Sequence, residues 1–477
     1  MIALHYNTED PYRIYGINHF IQKYGIRMNI NTGSKINIIY GHTKDNIYKD
    51  ITGFNIQIIE NDMRNNISGY LKTDAENIPL FEKPIRLNKY EEYEETLVMF
   101  DDKENEYPCV VLGNNSIIFG FDIFNEVGHI LSGHLDTLWK SKASESQQMA
   151  KIPIIDYYEK ILFDCLNFTA NKLNIKLNVK PFWPNEKKFA VCLTHDVDRV
   201  RKTYQYFTHL IQHLKKRNYL SVWNQVKSLF LRLLYQYEPY WCFEKILKLE
   251  NELKVKSTFF FLNEQEKPYL FNIKSWMLFT GRYNINNPDI IKMIKKLHES
   301  GWEIGLHGSY NSYNSETKLK TEKNDLEMIL GKKVQGIRQH YLNLKIPETW
   351  MLQEKVGFKY DTTLGFRDNI GFRWGTCFPF QIKDQFLLEI PLIIMDVVFR
   401  SQKKNILNEC KKILEIVEKT GGVLTLLWHQ SIFNEREYPE LCSVYVELIK
   451  LCKEKDAWIT NLEEIYNWWN ERSIKFK

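Results

Sequence analysis

The sequence lacks any apolar run long enough to cross a membrane, and its first residues lead us to expect no signal peptide. The first six residues have neither the basic start nor the apolar core of such a peptide. A hydrophobic share of 44% and a charged share of 26% are typical of a soluble globular protein. We therefore expect a cytoplasmic protein. At 477 residues the chain is long for one domain, and its length predicts two or three.

The sequence also lacks cysteine pairs with the spacing of metal ligands, and it lacks a strong net charge. The eight cysteines show no CxxC spacing, and most lie in apolar stretches, so we expect small core residues. The net charge of +5 is small for this length and gives little support to nucleic-acid binding. The first 136 residues contain no phosphate-binding loop and no dinucleotide fingerprint. The role of this first region therefore stays open.

Residues 1–140 are predicted to form a small α/β domain. Short apolar strands such as Ile36–Tyr40 alternate with polar loops and helical pieces such as Ile17–Tyr24. Residues 141–185 are predicted to be a linker and a connecting helix, because apolar residues recur at helical spacing from Ile154 to Leu173.

From residue 186 to 477 the pattern alternates between strand and helix. It gives about eight β/α units, which predicts a TIM-like barrel, distorted where the aromatic loop Thr362–Gln385 replaces a helix. The fold class is thus predicted to be α/β, a distorted (β/α) barrel preceded by a small α/β domain. The predicted barrel strands are Phe189–Leu193, Ser257–Leu262, Trp302–His307, Gln335–Arg338, Phe358–Asp361, Phe386–Ile390, Val423–Trp428 and Ala457–Thr460.

A helical insertion is predicted at about residues 200–245, and its first part is basic. Between Arg199 and Tyr237 there are eight Lys and Arg residues and no acidic residue, with aromatic and aliphatic residues interleaved. One interpretation is a surface that meets an anionic membrane or an acidic polymer. The other, which the pattern favours, is an insertion packed on the domain with its polar face in water. Peripheral membrane contact through residues 199–234 stays open.

Polar side chains follow several of the predicted strands. The apolar run Phe189–Leu193 leads to Asp196 and Asp198, which share one face of the strand, while His195 lies on the other and is expected to pack. Two adjacent carboxylates repel each other unless a proton or a cation lies between them. Other strand ends carry His307, Arg338, His340, Tyr341, Asp361 and His429. Because sites of (β/α) barrels lie at the carboxyl ends of the strands, we expect these residues to meet.

Four motifs in this region resemble those of the polysaccharide deacetylase family, the carbohydrate esterases with a NodB homology domain. Thr194-His-Asp-Val-Asp198 resembles the Thr-x-Asp-Asp motif with one residue inserted. His307-Gly-Ser-Tyr-Asn311 resembles His-Ser/Thr-x-x-His, and Arg338-Gln-His-Tyr341 resembles Arg-x-Pro-Tyr. Leu427-Trp-His429 matches Leu-x-His. The resemblance is to a cytoplasmic branch that bears an extra N-terminal domain.

The resemblance implies a metal-dependent hydrolase that removes an N-acetyl group from an amino sugar of a glycan or glycan precursor. It makes Asp196 the general base, Arg338 the cationic partner of that base, and His429 the general acid. Asp361 is the candidate that orients His429, and Asp396 after the next strand is the alternative.

The resemblance also implies a divalent metal, most often zinc in this family. Asp198 and His307 become metal ligands. The second histidine of the family's ligand set falls on Asn311, a weaker ligand for zinc, and His340 stands where the family has proline. Either Asn311 or His340 is expected to complete the site.

Two aromatic residues are predicted to contact the sugar. They are Tyr341, and Trp374 from the loop Gly365–Phe380, whose Phe366, Phe372 and Phe378 offer further faces for stacking. An alternative function is a catalytically inactive carbohydrate-binding or scaffolding protein that retains the barrel, with Asn311 as its mark. Hydrolysis of an amide that is not part of a sugar also stays open. The oligomeric state is not predicted.

Overall fold

The computed structural model describes residues 2–41, 51–73, 76–85, 87, 94–101, 103–139, 148–217, 219–269, 271–400 and 405–473. The chain divides into two compact units. The first contains residues 1–182, 372–383 and 469–477, and the second contains residues 183–371 and 384–468. Within the described ranges no helix combines the length and the apolar character that a membrane crossing requires.

The first unit is built on a mixed sheet with the strand order β2-β1-β3-β4-β9-β8-β7-β5-β6. Neighbours are parallel from β2 to β9 and antiparallel from β9 to β6. The strands are β1 Ile2–Tyr6, β2 Met28–Ile30, β3 Ile36–Gly41, β4 Phe54–Ile59, β5 Gly69–Lys72, β6 Asn77–Leu80, β7 Glu94–Phe100, β8 Glu106–Leu112 and β9 Ser116–Phe119. The helices are α1 Pro11–Tyr24, α2 Ile123–Ile130, α3 His134–Trp139 and α4 Ile154–Lys172.

Helices α1 and α2 approach each other closely at two glycines. A Cβ atom on Gly16 would lie 2.0 Å from the carbonyl oxygen of Phe124, and one on Gly128 would lie 1.9 Å from that of Tyr12. Both distances are far below van der Waals contact, so these two positions require glycine. Asp10 begins α1 by accepting hydrogen bonds from the backbone NH groups of Tyr12 and Arg13.

The second unit alternates parallel strands with helices. Its strands are β10 Ala190–Val197, β11 Thr258–Leu262, β12 Glu303–Gly308, β13 Gly336–Gln339, β14 Tyr360–Asp361, β16 Leu388–Glu389, β17 Ile394–Met395, β18 Val423–Leu427 and β19 Trp458–Thr460. β15, Phe380–Gln381, belongs to the first unit. The helices are α5 Gln205–Lys215, α6 Tyr219–Tyr235, α7 Phe243–Glu252, α8 Ile273–Phe279, α9 Pro288–Glu299, α10 Glu316–Leu330, α11 Glu348–Val356, α12 Ile406–Thr420, α13 Pro439–Glu454 and α14 Leu462–Arg472. The last turn of α14, from Trp469, is assigned to the first unit.

The strand order of this unit is β16-β14-β13-β12-β11-β10-β18-β17, and every pairing is parallel. β10 lies in the middle and is buried along its whole length. β19 pairs with the first half of β10, from Ala190 to Cys192, and β11 pairs with its second half, from Thr194 to Val197. The carboxyl ends of all these strands therefore lie at one edge of the sheet.

The predicted α/β fold class is confirmed, and the barrel is distorted as expected. β14, β16 and β17 have only two residues each, and in the described part of the chain β16 does not pair with β17, so the sheet stays open there. Helix α10 has clear signals at both ends, because Ser315 caps its start and Gly331, at φ +70°, ends it. The eight cysteines are free thiols, and all but the half-buried Cys165 are buried.

The predicted domain boundaries at residues 140 and 185 stay a prediction, because the two units are defined by contacts and not by independent folding. The polar stretch Lys140–Gln148, predicted as a linker, lies outside the described residues except for its last one. The predicted connecting helix is α4, and the predicted helical insertion contains α5 and α6.

Candidate functional site

The buried strand β10 delivers a carboxylate to an arginine on another strand. Asp196, at the end of β10, accepts a hydrogen bond of 3.0 Å from Nη1 of Arg338 on β13. The same nitrogen donates to Thr194, and the rest of the guanidinium donates to the backbone carbonyl and hydroxyl of Thr362. Arg338 is fully buried and Asp196 nearly so. The geometry thus fixes the orientation of Asp196 with a charge-assisted bond.

Three potential metal ligands meet beside this pair. One ligand atom each from Asp198, His307 and His340 lies within 4.8 Å of the other two. Oδ1 of Asp198 is 3.3 Å from Nε2 of His307 and 3.5 Å from Nε2 of His340. The other carboxylate, Asp196, lies 3.7 Å from Nε2 of His307 through its Oδ2. Two histidines and one carboxylate are a common donor set for zinc and for other divalent metals.

The hydrogen bonds of this cluster suit metal binding at two of its three donors. Nδ1 of His307 donates to the carbonyl oxygen of Arg338 at 2.9 Å, so in the neutral ring Nε2 keeps its lone pair. Oδ1 of Asp198 is buried and has no hydrogen-bond partner among the described residues. Burial raises the pKa of Asp198, but His340 and a contact from His307 outweigh it and hold this pKa well below its usual range. The donor set therefore fits a divalent cation.

Arg282 is a neighbour of this cluster that no sequence motif marks. Its Nη2 donates to Nε2 of His340 at 3.2 Å, and its Nη1 donates to the carbonyl of Asp198 at 3.1 Å. Burial and the charge of Arg282 hold the pKa of His340 well below its ordinary value. Arg282 thus competes with a metal for the lone pair of His340. The only local signal in the sequence is Gly281, whose φ of +74° forms the turn before it.

A histidine–aspartate pair lies near Oδ2, the other carboxylate oxygen of Asp198. Nδ1 of His429 lies 2.5 Å from Oδ1 of Asp396, and Nε2 of His429 lies 3.9 Å from Oδ2 of Asp198. Burial lowers the pKa of His429, but the Asp396 carboxylate outweighs it, so this pKa lies above its ordinary value. Arg400 donates to the other oxygen of Asp396 at 3.0 and 2.9 Å. Despite burial, His429 and Arg400 lower the pKa of Asp396 to about 2.

The prediction that Asp361 orients His429 is wrong. Asp361 is fully buried at the end of β14, where its carboxylate accepts hydrogen bonds from Trp350 at 2.9 Å, Gln353 at 3.3 Å and Thr363 at 2.5 Å. These bonds tie β14 to α11, so Asp361 is a structural residue. Asp396, which directly follows the two-residue strand β17, occupies the predicted position beside His429.

The two residues predicted to contact a sugar differ in their exposure to solvent. Tyr341 is 45% exposed, and its ring lies 4.4 Å from the His340 ring, so it stands at the open side of the site. Trp374 is 1% exposed and stacks on Phe380 within the first unit, so the prediction that it binds sugar is wrong. The same loop buries Phe372 and Phe378 completely. Phe372, Trp374 and Phe378 therefore belong to a hydrophobic core, whereas Phe366 of the same loop is half-buried.

The choice between Asn311 and His340 is also informed by the structure. Nδ2 of Asn311 donates to Glu266 at 2.8 Å, whereas His340 lies with Asp198 and His307 in the cluster of potential ligands.

His195 packs on the face of β10 away from Asp196 and Asp198, as predicted. Its ring nitrogens lie 2.6 Å from the carbonyl oxygen of Trp428 and 2.9 Å from Glu250.

No family model and no curated protein matches this chain. Among solved structures, a "probable polysaccharide deacetylase" from Pseudomonas aeruginosa PAO1 is 14% identical, with 63% of this chain and 97% of that chain covered and a TM-score of 0.41. The Puue allantoinase is 15% identical, with 61% and 93% covered and a TM-score of 0.40. A carbohydrate esterase family 4 pseudoenzyme from Bacillus anthracis is 14% identical, with 60% and 66% covered and a TM-score of 0.30. At these values the matches assign no activity.

Proposed function

We propose that this protein is a cytoplasmic metal-dependent hydrolase that removes the N-acetyl group from an amino sugar of a glycan or a glycan precursor. The observation that carries the proposal is the position of Asp198, whose Oδ1 lies near Nε2 of His307 and His340 and whose Oδ2 lies 3.9 Å from Nε2 of His429. A carboxylate base, a histidine acid and a donor set for a divalent ion are together sufficient for metal-assisted amide hydrolysis.

The residues that would hold the ion are Asp198, His307 and His340, and zinc suits this donor set. A divalent ion bound there would lower the pKa of a water molecule and polarise an amide carbonyl. Arg282 must release Nε2 of His340 for all three donors to bind. Metal binding and the position of Arg282 are therefore coupled.

Asp196 is proposed to accept the proton of the attacking water. Its Oδ1 is held by Arg338, while its Oδ2 faces His307 at 3.7 Å and stays available. Because Arg338 is fully buried and bonded to Thr194 and Thr362 as well, the base cannot swing away from the site.

His429 is proposed to protonate the leaving amine. Its Nδ1 is bound by Asp396, which leaves Nε2 directed at the site. The Asp396 carboxylate raises the pKa of His429, which favours the protonated form that a general acid requires. The products are acetate and a free amino sugar.

Two observations favour a second candidate, a carbohydrate-binding or scaffolding protein without catalysis. Arg282 donates a hydrogen bond to Nε2 of His340, the nitrogen that would bind a metal, and Nδ2 of Asn311 donates a hydrogen bond to Glu266. In such a protein Arg282 would stand in place of the cation.

The experiment that separates the two candidates is the release of acetate and free amine from N-acetylglucosamine oligomers and sugar nucleotides, with zinc supplied. We expect equal amounts of both products, and a loss of at least about a hundredfold in kcat for Asp196→Asn. Asp164→Asn, an exposed residue paired with Lys160, is the matched control and should keep full activity. Binding of the oligomers without any acetate would favour the second candidate.

A further inference from the structure

The helices α5 and α6 expose an unusual amount of apolar surface. On α6, Leu220, Trp223 and Leu233 are 73%, 62% and 74% exposed, and on α5 Phe207 is 70% exposed. On each helix a set of exposed apolar residues recurs at intervals of three and four, which places the set along one face. The set is Phe207, Ile211 and Leu214 on α5, and Leu220, Trp223, Val226, Phe230 and Leu233 on α6. Tyr219, Leu229, Leu234 and Tyr235 of α6 are exposed as well.

The face of α6 that is directed toward the protein is polar. Gln225 and Ser228 are its buried residues. Gln225 accepts a hydrogen bond from the buried ammonium group of Lys202, and Arg232 donates to the carbonyl of Lys202. Asn224 donates to the carbonyl of Arg436 at 3.4 Å. The helix is thus anchored by polar contacts and turns its apolar face outward, which is the reverse of the arrangement favoured from the sequence.

The exposed charges around this apolar face are positive. Lys215, Lys216, Arg217 and Lys227 are exposed, and no acidic residue occurs from residue 199 to 237. Two acids that contact residues of this segment are paired, Glu437 with Lys202 at 2.6 Å and Glu238 with Arg232 at 3.2 Å. An apolar face flanked by cations is the arrangement of helices that lie in the interface of an anionic membrane.

We propose that α5 and α6 form a docking surface for the anionic headgroups and outer acyl region of a lipid bilayer. The cations would bind phosphate groups, while Trp223, Phe230 and Leu220 would enter the boundary between headgroups and acyl chains. A second copy of the chain is a poorer occupant, because two-fold pairing of this face would bring its cations against themselves. The proposal does not depend on the proposed deacetylation.

The test is co-sedimentation of the full chain with vesicles of phosphatidylcholine containing 30 mol% phosphatidylglycerol, compared with vesicles of phosphatidylcholine alone. We expect tighter binding to the anionic vesicles, and weaker binding as salt is raised. The triple variant Lys215→Gln, Lys216→Gln and Arg217→Gln should bind on the order of a hundredfold more weakly, from about fivefold per cation. Its matched control neutralises three exposed cations of α9, with Lys292→Gln, Lys295→Gln and Lys296→Gln, and should bind like the native chain.

A second variant tests the apolar face. Leu220→Ser, Trp223→Ser and Phe230→Ser together should lower vesicle binding at least tenfold without a loss of folding, because all three side chains are exposed. The matched control is Met328→Ser with Phe386→Ser, which are 75% and 90% exposed elsewhere in the second unit.

The proposal is overturned if the native chain fails to bind anionic vesicles or binds neutral vesicles equally well. It is also overturned if neither the triple glutamine variant nor the triple serine variant binds more weakly than the native chain. A native dimer that becomes monomeric in the serine variant, with no vesicle binding, would identify a second copy as the occupant and would equally overturn it.

Discussion

Replacing Asp396 by asparagine should move the alkaline limb of the pH-rate profile to lower pH. The Asp396 carboxylate lies 2.5 Å from Nδ1 of His429, both groups are buried, and this contact raises the pKa of His429. Asparagine keeps an oxygen that can accept the same hydrogen bond but removes the charge. A neighbouring opposite charge favours the charged form of a titrating group, so removal of the Asp396 charge should lower the pKa of His429.

The sign follows from the role of His429 as an acid. The active form is the protonated one, so kcat is lost as pH rises through the pKa of His429, and a lower pKa moves this loss to lower pH. Arg400→Gln provides a control of opposite sign, because the Arg400 cation lowers the pKa of His429 and its removal should move the limb upward.

The assay is the pH dependence of kcat for acetate release, combined with an NMR titration of the histidine ring in each variant. An alkaline limb that is the same in the native chain and Asp396→Asn would refute the reasoning, as would a shift toward higher pH. An unchanged NMR titration of His429 would show that Asp396 does not set its pKa.

Three further outcomes follow from the corrected site. In metal-binding titrations, His340→Ala should lower the affinity at least roughly tenfold while Asn311→Ala leaves it unchanged, and the reverse result would make Asn311 the ligand. Asp361→Ala should lower the free energy of unfolding by about 1–3 kcal/mol, because it leaves the buried Trp350 indole NH without its acceptor, and should leave the alkaline limb in place. Trp374→Ala should cost about 3–5 kcal/mol of stability with an unchanged KM for sugar oligomers, and a raised KM at full stability would restore the sugar contact.

The sequence predicted the β/α alternation of the second unit well, since its longer strands are apolar runs with clear helices between them. It also placed Asp196, Asp198, His307 and His340 at one edge of the sheet, because a parallel strand delivers the residues that follow it to that edge. The strands that the pattern missed, such as β17, have two residues and carry no periodic signal.

The wrong predictions concern residues whose role depends on tertiary contacts that the sequence does not show. Asp361 is the last residue of the short strand β14, and Asp396 follows the short strand β17. Only the positions of α11 and β17 show that the first carboxylate bonds Trp350 and the second bonds His429. Aromatic residues in a loop are compatible with a sugar site or a core, and burial assigns Trp374 to a core. The outward apolar face of α6 could not be predicted, because periodicity gives the faces of a helix but not which one is turned inward.

The most direct test of the proposed metal-dependent hydrolase is the metal content of the purified chain, measured together with acetate release in native protein, Asp198→Ala and His307→Ala. The account predicts about one divalent ion per native chain, and loss of both ion and acetate in the two variants. The controls Asp289→Ala and His298→Ala replace the same residue types in α9 and should keep both the bound ion and acetate release. A native chain that is folded, metal-free and inactive after zinc is supplied would contradict the account.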